Sequence, residues 1–229
     1  MQTNIDITRA FMETPDGVLS IHQISRKLKL PYGTAYNRIH LLHNSGIVQI
    51  LPQGKAKLCA LNSDNPMTAT LMALGSAQIT DRFLRENPEA GLLLKKIRKT
   101  LAESSSNLAT AILLTPDNLK ILAAPAPEEP PAIDASAEDL SLDFFFIKTS
   151  ENFDETATET AVTALLPPGL PARVTSMTVD RDTLLGMLTE SENEAGLAAY
   201  SMLHEGMILL GFENFYTLIL EAFSRKIAS

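Results

Sequence analysis

In the first 62 residues, apolar positions recur at helical spacing three times and then occur in two short strand-like runs. The three apolar faces consist of Ile7, Ala10 and Phe11, of Ile21, Ile24 and Leu28, and of Ala35, Ile39 and Leu42. The predicted elements are a helix over 5–12, a strand over 18–20, helices over 21–28 and 34–45, and strands over 47–51 and 57–61. The last two strands flank PQGKA and predict a hairpin with a basic turn.

Turn and capping residues separate these elements. The tetrapeptide TPDG (14–17) predicts a turn, and Ser20 is a good N-cap for the second helix. Pro31 disfavours helix at the preceding residue, and Gly33 permits a tight turn before the third helix. Gly46 suits the left-handed position that follows a helix C-terminus. The segment therefore predicts two helices joined by a tight turn.

Charge is distributed unevenly along the chain. The whole chain carries −8, but residues 1–62 hold seven Lys and Arg against three Asp and Glu, which gives +4. Residues 63–229 hold the other 12 basic and 24 acidic residues, which gives −12. Such asymmetry is typical of a basic binding module joined to an acidic domain.

Composition excludes several classes of protein. With 45% hydrophobic and 20% charged residues, the chain has ordinary globular composition. No run of about 18 uncharged apolar residues is present and the N-terminus lacks a secretory pattern, so we expect no membrane partner. The single cysteine, Cys59, is expected to be a small apolar strand residue in a cytoplasmic protein. His40 and His43 lie three residues apart without a carboxylate or cysteine nearby, so we expect solvated helix-face histidines and no metal.

The rest of the chain alternates between helical and strand-like patterns. The predicted elements are two helices within 67–104, strands over 108–115, 119–124, 142–148 and 172–179, a helix near 156–166, and three helices beyond Val179. The strand over 119–124 is predicted to pair with the first strand across the turn PDN. Residues 125–139 are rich in Pro, Ala and acid and predict a mobile loop. The basic run at 95–99 is interpreted as a solvated helix face, and Phe144–Phe146 as the core of a covered sheet.

The order helix, strand, helix, tight turn, helix and basic hairpin resembles the winged helix-turn-helix of bacterial and archaeal regulators. The run GTAYNRIHLLHNSGIV (33–48) carries the resemblance, which covers residues 1–62. It implies that the second helix of the motif enters the major groove, where Asn pairs with adenine and Arg with guanine. The predicted base-facing residues are Tyr32, Thr34, Asn37 and Arg38, and the predicted phosphate contacts are Ser20, Arg26, Gln53, Lys55 and Lys57.

A second resemblance lies at the other end of the chain. The segment AAYSMLHEGMILLGFENFYTLILEAF (198–223) is similar to the closing segment of minimal nucleotidyltransferase-fold proteins, and the order of elements over 88–229 is similar too. The resemblance implies a Gly-Ser pair after the first strand and an Asp-x-Asp on the second. It further implies a third carboxylate on a later strand, with magnesium held between the acids and the nucleotide phosphates.

Those catalytic motifs are missing. Thr115-Pro116-Asp117 stands where the Gly-Ser pair is expected, Ser141 replaces one aspartate and Asp143 remains. The strand RVTSMTV (173–179) contains no acid. One acid without its partner is a poor two-metal site, so Asp143 is interpreted as a structural carboxylate. The resemblance therefore implies a degenerate fold without catalytic residues, metal or cofactor.

Together the patterns predict an α+β protein. It consists of a winged helix-turn-helix domain over 1–62, a helical linker over 63–87, and an α/β nucleotidyltransferase-like domain with a small mixed sheet over 88–229. The first functional hypothesis is a regulator that binds double-stranded DNA as a homodimer on palindromic sites, and whose C-terminal domain dimerises or senses a small-molecule or nucleotide effector. Two alternatives stay open: a diverged magnesium-dependent nucleotidyltransferase guided by a nucleic-acid-binding module, and a protein-interaction or antitoxin-like scaffold.

Overall fold

The computed structural model describes residues 2–14, 17–53, 56–103, 107–124, 140–168, 172–189, 199 and 205–228. Over this part the chain is α+β, with nine helices and two small sheets of three and four strands. It divides into two compact units. The first comprises the described residues within Met1–Ala77, Leu185–His204 and Phe212–Ser229, and the second those within Gln78–Leu184 and Glu205–Gly211. No described helix is long and apolar enough to cross a membrane.

The helices and strands alternate irregularly along the chain. In chain order they are α1 (Gln2–Met12), β1 (Val18–Ser20), α2 (Ile21–Lys27), α3 (Tyr32–Asn44), β2 (Val48–Gln53), β3 (Ala56–Leu61), α4 (Pro66–Glu86), α5 (Pro88–Glu103), β4 (Leu108–Leu113), α6 (Pro116–Ala123), β5 (Leu140–Lys148), α7 (Glu155–Thr163), β6 (Ala172–Val179), α8 (Arg181–Thr189), β7 (Met207–Leu210) and α9 (Phe212–Ala228).

The first unit is built on an antiparallel sheet with the strand order β1-β3-β2. The three apolar helix faces predicted from the sequence are confirmed, since Phe11, Ile24 and Ile39 are fully buried. Cys59 on the central strand is also buried, as predicted. Burial raises the pKa of its thiol to about 11, although the nearby Lys57 charge opposes this shift. The thiol is therefore protonated at neutral pH and unreactive.

Capping interactions fix the N-terminus of α2 and the C-terminus of α3. Ser20 is the N-cap of α2, as predicted: its Oγ accepts from the Gln23 N–H at 3.2 Å, and Gln23 Oε1 accepts from the Ser20 N–H at 2.8 Å. Gly46 has φ +73°, and its N–H donates to the carbonyl of His43 at 2.9 Å. The N–H of Ile47 donates to the carbonyl of Leu42 at 2.9 Å, which completes a Schellman motif. The predicted role of Gly46 is confirmed.

The last helix of the chain belongs to the first unit. A Cβ on Gly17 would lie 2.7 Å from the Phe223 ring of α9, so the glycine allows this helix to pack closely. Tyr216 of α9 is hydrogen-bonded to Ser76 of α4, and burial raises the pKa of the Tyr216 hydroxyl. α9 is thus held in the first unit by packing and by a partly buried polar contact.

The second unit contains a mixed sheet with the strand order β6-β5-β4-β7. β5 and β6 are parallel and paired from Leu140–Ala172 to Ile147–Val179, whereas β4 is antiparallel to both β5 and β7. The predicted burial of Phe144–Phe146 is confirmed, and the rings of Phe144 and Phe146 stack at 5.6 Å. Leu94, Ile97 and Leu101 of α5 belong to the same buried cluster.

One predicted strand is wrong and one observed strand is missing from the prediction. Residues 119–124, predicted as a strand, lie almost wholly in α6, because Pro116 starts a helix and buries Leu119 and Leu122 on one face. β7, over Met207–Leu210, lies where the sequence pattern predicted no strand. The predicted loop over 125–139 lies outside the described residues, as does most of the second of the three helices predicted beyond Val179, which covers 193–206.

Candidate functional site

One face of α3 is polar and exposed, and it lies opposite the face that packs in the core of its unit. Ala35, Ile39 and Leu42 form its buried stripe. At about 100° per residue, the opposite side of the helix carries five exposed residues, which we call the outer face. The outer face consists of Gly33, Thr34, Asn37, Leu41 and Asn44. Arg38 lies at the border of this face and is half-buried.

The polar side chains of the outer face are not used by the fold. Thr34 and Asn37 make no side-chain hydrogen bond to the described residues, and Arg38 makes no ion pair there. By contrast, Lys27 of α2 is held by Glu13 at 2.8 Å. An exposed helix face with free amide, hydroxyl and guanidinium groups can hydrogen-bond to an external polar partner.

A row of rings lies beside the outer face, on the side towards β3. We call it the aromatic row, and its members are His22, Tyr32, Tyr36 and His40. Successive ring centroids are 6.5, 6.3 and 4.2 Å apart. The ammonium of Lys57 on β3 lies 5.2 Å from the Tyr36 ring centroid, in cation–π range. The aromatic row, together with Lys57, therefore forms side-chain contacts between α2, α3 and the hairpin strand β3.

Sequence reasoning identified only two members of this arrangement, Tyr32 and Lys57, as contact residues. The spacing of Tyr32, Tyr36 and His40 at i, i+4 and i+8 was the available signal, because residues four apart share a helix face. His22 comes from another helix, and its place in the row follows only from the tertiary fold.

The two histidines of α3 differ in their surroundings. His40 is half-exposed and its Nε2 atom is buried without a hydrogen-bond partner among the described residues, which corrects the prediction of a solvated ring. His43 is exposed, and its Nδ1 lies 2.9 Å from the Val48 carbonyl oxygen. Within the described chain, no three His, Cys, Asp or Glu side chains are grouped so that they can hold a metal ion.

The predicted phosphate contacts lie around α3. Arg26 is exposed on α2, and Lys57 is exposed on β3 opposite Pro52. The Ser20 hydroxyl is already engaged, since it donates to Gln23 Oε1 at 2.8 Å within the cap of α2. Gln53 ends β2, with its side chain not described, and Lys55 lies outside the described residues.

A second polar cluster surrounds Asp143 in the other unit. One carboxylate oxygen accepts from Ser141 Oγ at 3.0 Å and the other from Thr175 Oγ1 at 2.5 Å. Thr175 is the register partner of Asp143 on β6. The backbone N–H of Asp143 donates to Thr115 Oγ1 at 3.0 Å, and Asn118 donates to the Ser141 carbonyl at 2.8 Å. The carboxylate is therefore satisfied by neighbouring hydroxyls.

In comparisons with known proteins, no protein-family model, no curated protein and no solved structure matches the chain. The outer face with its aromatic row, and the cluster around Asp143, are therefore the two places from which a function is inferred.

Proposed function

We propose that the protein is a sequence-specific DNA-binding transcriptional regulator with a winged helix-turn-helix over residues 1–62. The observation that carries the proposal is the outer face of α3, where Thr34 and Asn37 present free hydrogen-bonding groups beside Arg38. The element order of α1 to β3 and the sheet order β1-β3-β2 support it. An exposed helix with such side chains matches the donor and acceptor pattern of the major groove.

The electrostatics support a DNA partner for the N-terminal part. Residues 1–62 carry +4, and Arg26 and Arg38 have no ion-pair partner among the described residues. Lys57, held over Tyr36, places a positive charge next to α3. Basic side chains around a base-reading helix bind phosphates and set its register. We also propose a cytoplasmic location, which the single, unpaired cysteine supports.

For residues 88–229, of which α9 packs within the first unit, we propose a nucleotidyltransferase-like domain without enzymatic activity, which dimerises or senses a small-molecule or nucleotide effector. The cluster around Asp143 supports the loss of activity, because Ser141 stands where the resemblance implies a second aspartate and β6 contributes the hydroxyl of Thr175 instead of a carboxylate. In a homodimer, two copies of α3 about one DNA turn apart would match a palindromic operator.

The direct test is fluorescence anisotropy of the full chain with duplex DNA from upstream of its own gene and with a scrambled duplex, over a salt series. We expect tighter binding to the upstream duplex. Because Arg26, Lys55 and Lys57 are each proposed to contact a phosphate, the logarithm of the association constant should fall linearly with the logarithm of the salt concentration. The expected slope is about −3 per protomer. Equal, weak binding to both duplexes would contradict the proposed function.

Gly33 offers a test that separates binding from folding. A Cβ at Gly33 meets no atom within 4 Å, so Gly33→Ala should stabilise the fold by about 0.4–1 kcal/mol. The added methyl projects from the outer face, where DNA must approach α3. We therefore expect DNA affinity to fall on the order of tenfold, by steric conflict at the contact.

Gly186→Ala in α8 is the matched control. Its Cβ also meets no atom within 4 Å, and it lies outside α3. It should stabilise the fold to a similar degree and leave DNA affinity unchanged. Thermal unfolding and anisotropy on the same samples measure both quantities. If Gly33→Ala binds the upstream duplex as tightly as Gly186→Ala does, DNA does not approach α3 at Gly33.

A further inference from the structure

Leu41 is an exposed leucine on the outer face of α3. Its side chain is 57% exposed, whereas Leu42 next to it is buried at 2%. The fold therefore gains little from an apolar side chain at position 41.

Leu41 lies beside three residues that are proposed to contact DNA. On a helix surface its neighbours are the residues three, four and seven positions away. These neighbours are Thr34, Asn37 and Arg38, which are proposed to contact DNA, and the polar residues Asn44 and Ser45 at the end of the helix. A single leucine within a polar surface is too small for a protein-docking site, since stable protein interfaces bury about 800 Å² on each partner.

We infer that Leu41 contacts the C5-methyl group of a thymine in the major groove; the inference rests on the proposed function. The thymine methyl is the only apolar group that the major groove presents at a base edge, and apolar side chains recognise it. Leu41 lies one helical turn beyond Asn37, about 6 Å along the axis of α3. Base pairs are spaced about 3.4 Å apart, so the thymine lies about two base pairs from the base that Asn37 contacts.

The experiment uses the full chain and a fluorescently labelled duplex selected by this protein from a randomised library. Each thymine is replaced in turn by deoxyuridine, which lacks only the methyl group. We expect one position at which the replacement weakens binding about fourfold, the effect of one buried methyl group. Leu41→Ala should bind the thymine duplex about fourfold more weakly and lose its sensitivity to deoxyuridine at that position.

Leu92→Ala is the matched control, because Leu92 is a 63% exposed leucine on α5. It should bind like the wild type and keep the same sensitivity to deoxyuridine. The inference is overturned if no position is sensitive or if Leu41→Ala keeps the sensitivity. It is also overturned if Leu41→Ala turns a dimer into a monomer in sedimentation, which would make Leu41 a subunit contact. Selection that recovers no preferred sequence would instead overturn the proposed function itself.

Discussion

A protein carrying Asn37→Ala and Arg38→Ala together is expected to bind its preferred duplex no better than a scrambled one. Each bidentate contact to a base contributes about 1–3 kcal/mol of discrimination, so the pair accounts for about 2–6 kcal/mol. The preference should therefore fall by about 30-fold to 20 000-fold. Asn37 is exposed, and Arg38 has no ion pair with the described residues, so truncation leaves no buried group without a partner. Competition anisotropy with the two duplexes measures the preference.

Two control variants distinguish a loss of base recognition from a general loss of DNA binding. Lys95→Ala with Lys96→Ala truncates two consecutive exposed residues of another helix, α5, and should leave the preference intact. Lys55→Ala should weaken binding to both duplexes about equally and reduce the salt slope by about 1, as expected for a phosphate contact. If the Asn37 and Arg38 double variant still prefers one duplex as strongly as the wild type, these two residues do not read the bases.

Local sequence signals were sufficient to predict a helix or strand where the element carries its own apolar stripe and cap. Ser20 and Gly46 could be assigned because a capping box and a left-handed C-terminus depend on nearby residues. Thr34 and Asn37 of the outer face were named from the sequence as contact residues for the same reason, because they lie within one helix, whereas Gly33, Leu41 and Asn44 were not. The pairing of Lys57 with Tyr36 joins residues 21 positions apart in the chain, and no local rule indicates it.

α6 and β7 show where local patterns fail. The run Leu119–Leu122 fits a strand or a helix by composition, and these alternatives place different residues inside. A strand would bury Leu119 together with Ile121, whereas α6 buries Leu119 with Leu122 and leaves Ile121 58% exposed. β7 is only four residues long, and its strand state depends on pairing with β4 from a distant part of the chain. Tertiary contacts decided both cases.

Gly211 belongs to the segment 198–223 near the end of the chain, and its backbone conformation and close contacts require a glycine at this position. It lies between β7 and α9 with φ +69°, a conformation that side chains other than glycine rarely adopt. A Cβ there would lie 1.9 Å from the carbonyl oxygen of Ala109 and 2.8 Å from Thr110 Oγ1. Thr110 Oγ1 donates to the Gly211 carbonyl at 3.2 Å. The glycine thus lets the chain pass closely against β4.

Gly211→Ala is accordingly expected to destabilise the fold more than any of the other substitutions proposed above. The left-handed conformation costs alanine about 1–2 kcal/mol, and overpacking against a backbone carbonyl costs about 1–3 kcal/mol more. The loss of about 2–5 kcal/mol is a large part of the roughly 5–15 kcal/mol that stabilises an ordinary protein. Urea unfolding followed by circular dichroism measures it.

Gly211→Asn separates the two causes, because asparagine tolerates the left-handed conformation but still carries a Cβ. If steric conflict with Ala109 dominates, Gly211→Asn should be destabilised nearly as much as Gly211→Ala, whereas a dominant backbone strain would leave Gly211→Asn close to the wild type. Gly186→Ala, with open space around its Cβ, should be slightly more stable than the wild type. If the free energy of unfolding of Gly211→Ala lies within about 0.5 kcal/mol of the wild-type value, β4 does not pass as closely to Gly211 as this packing requires.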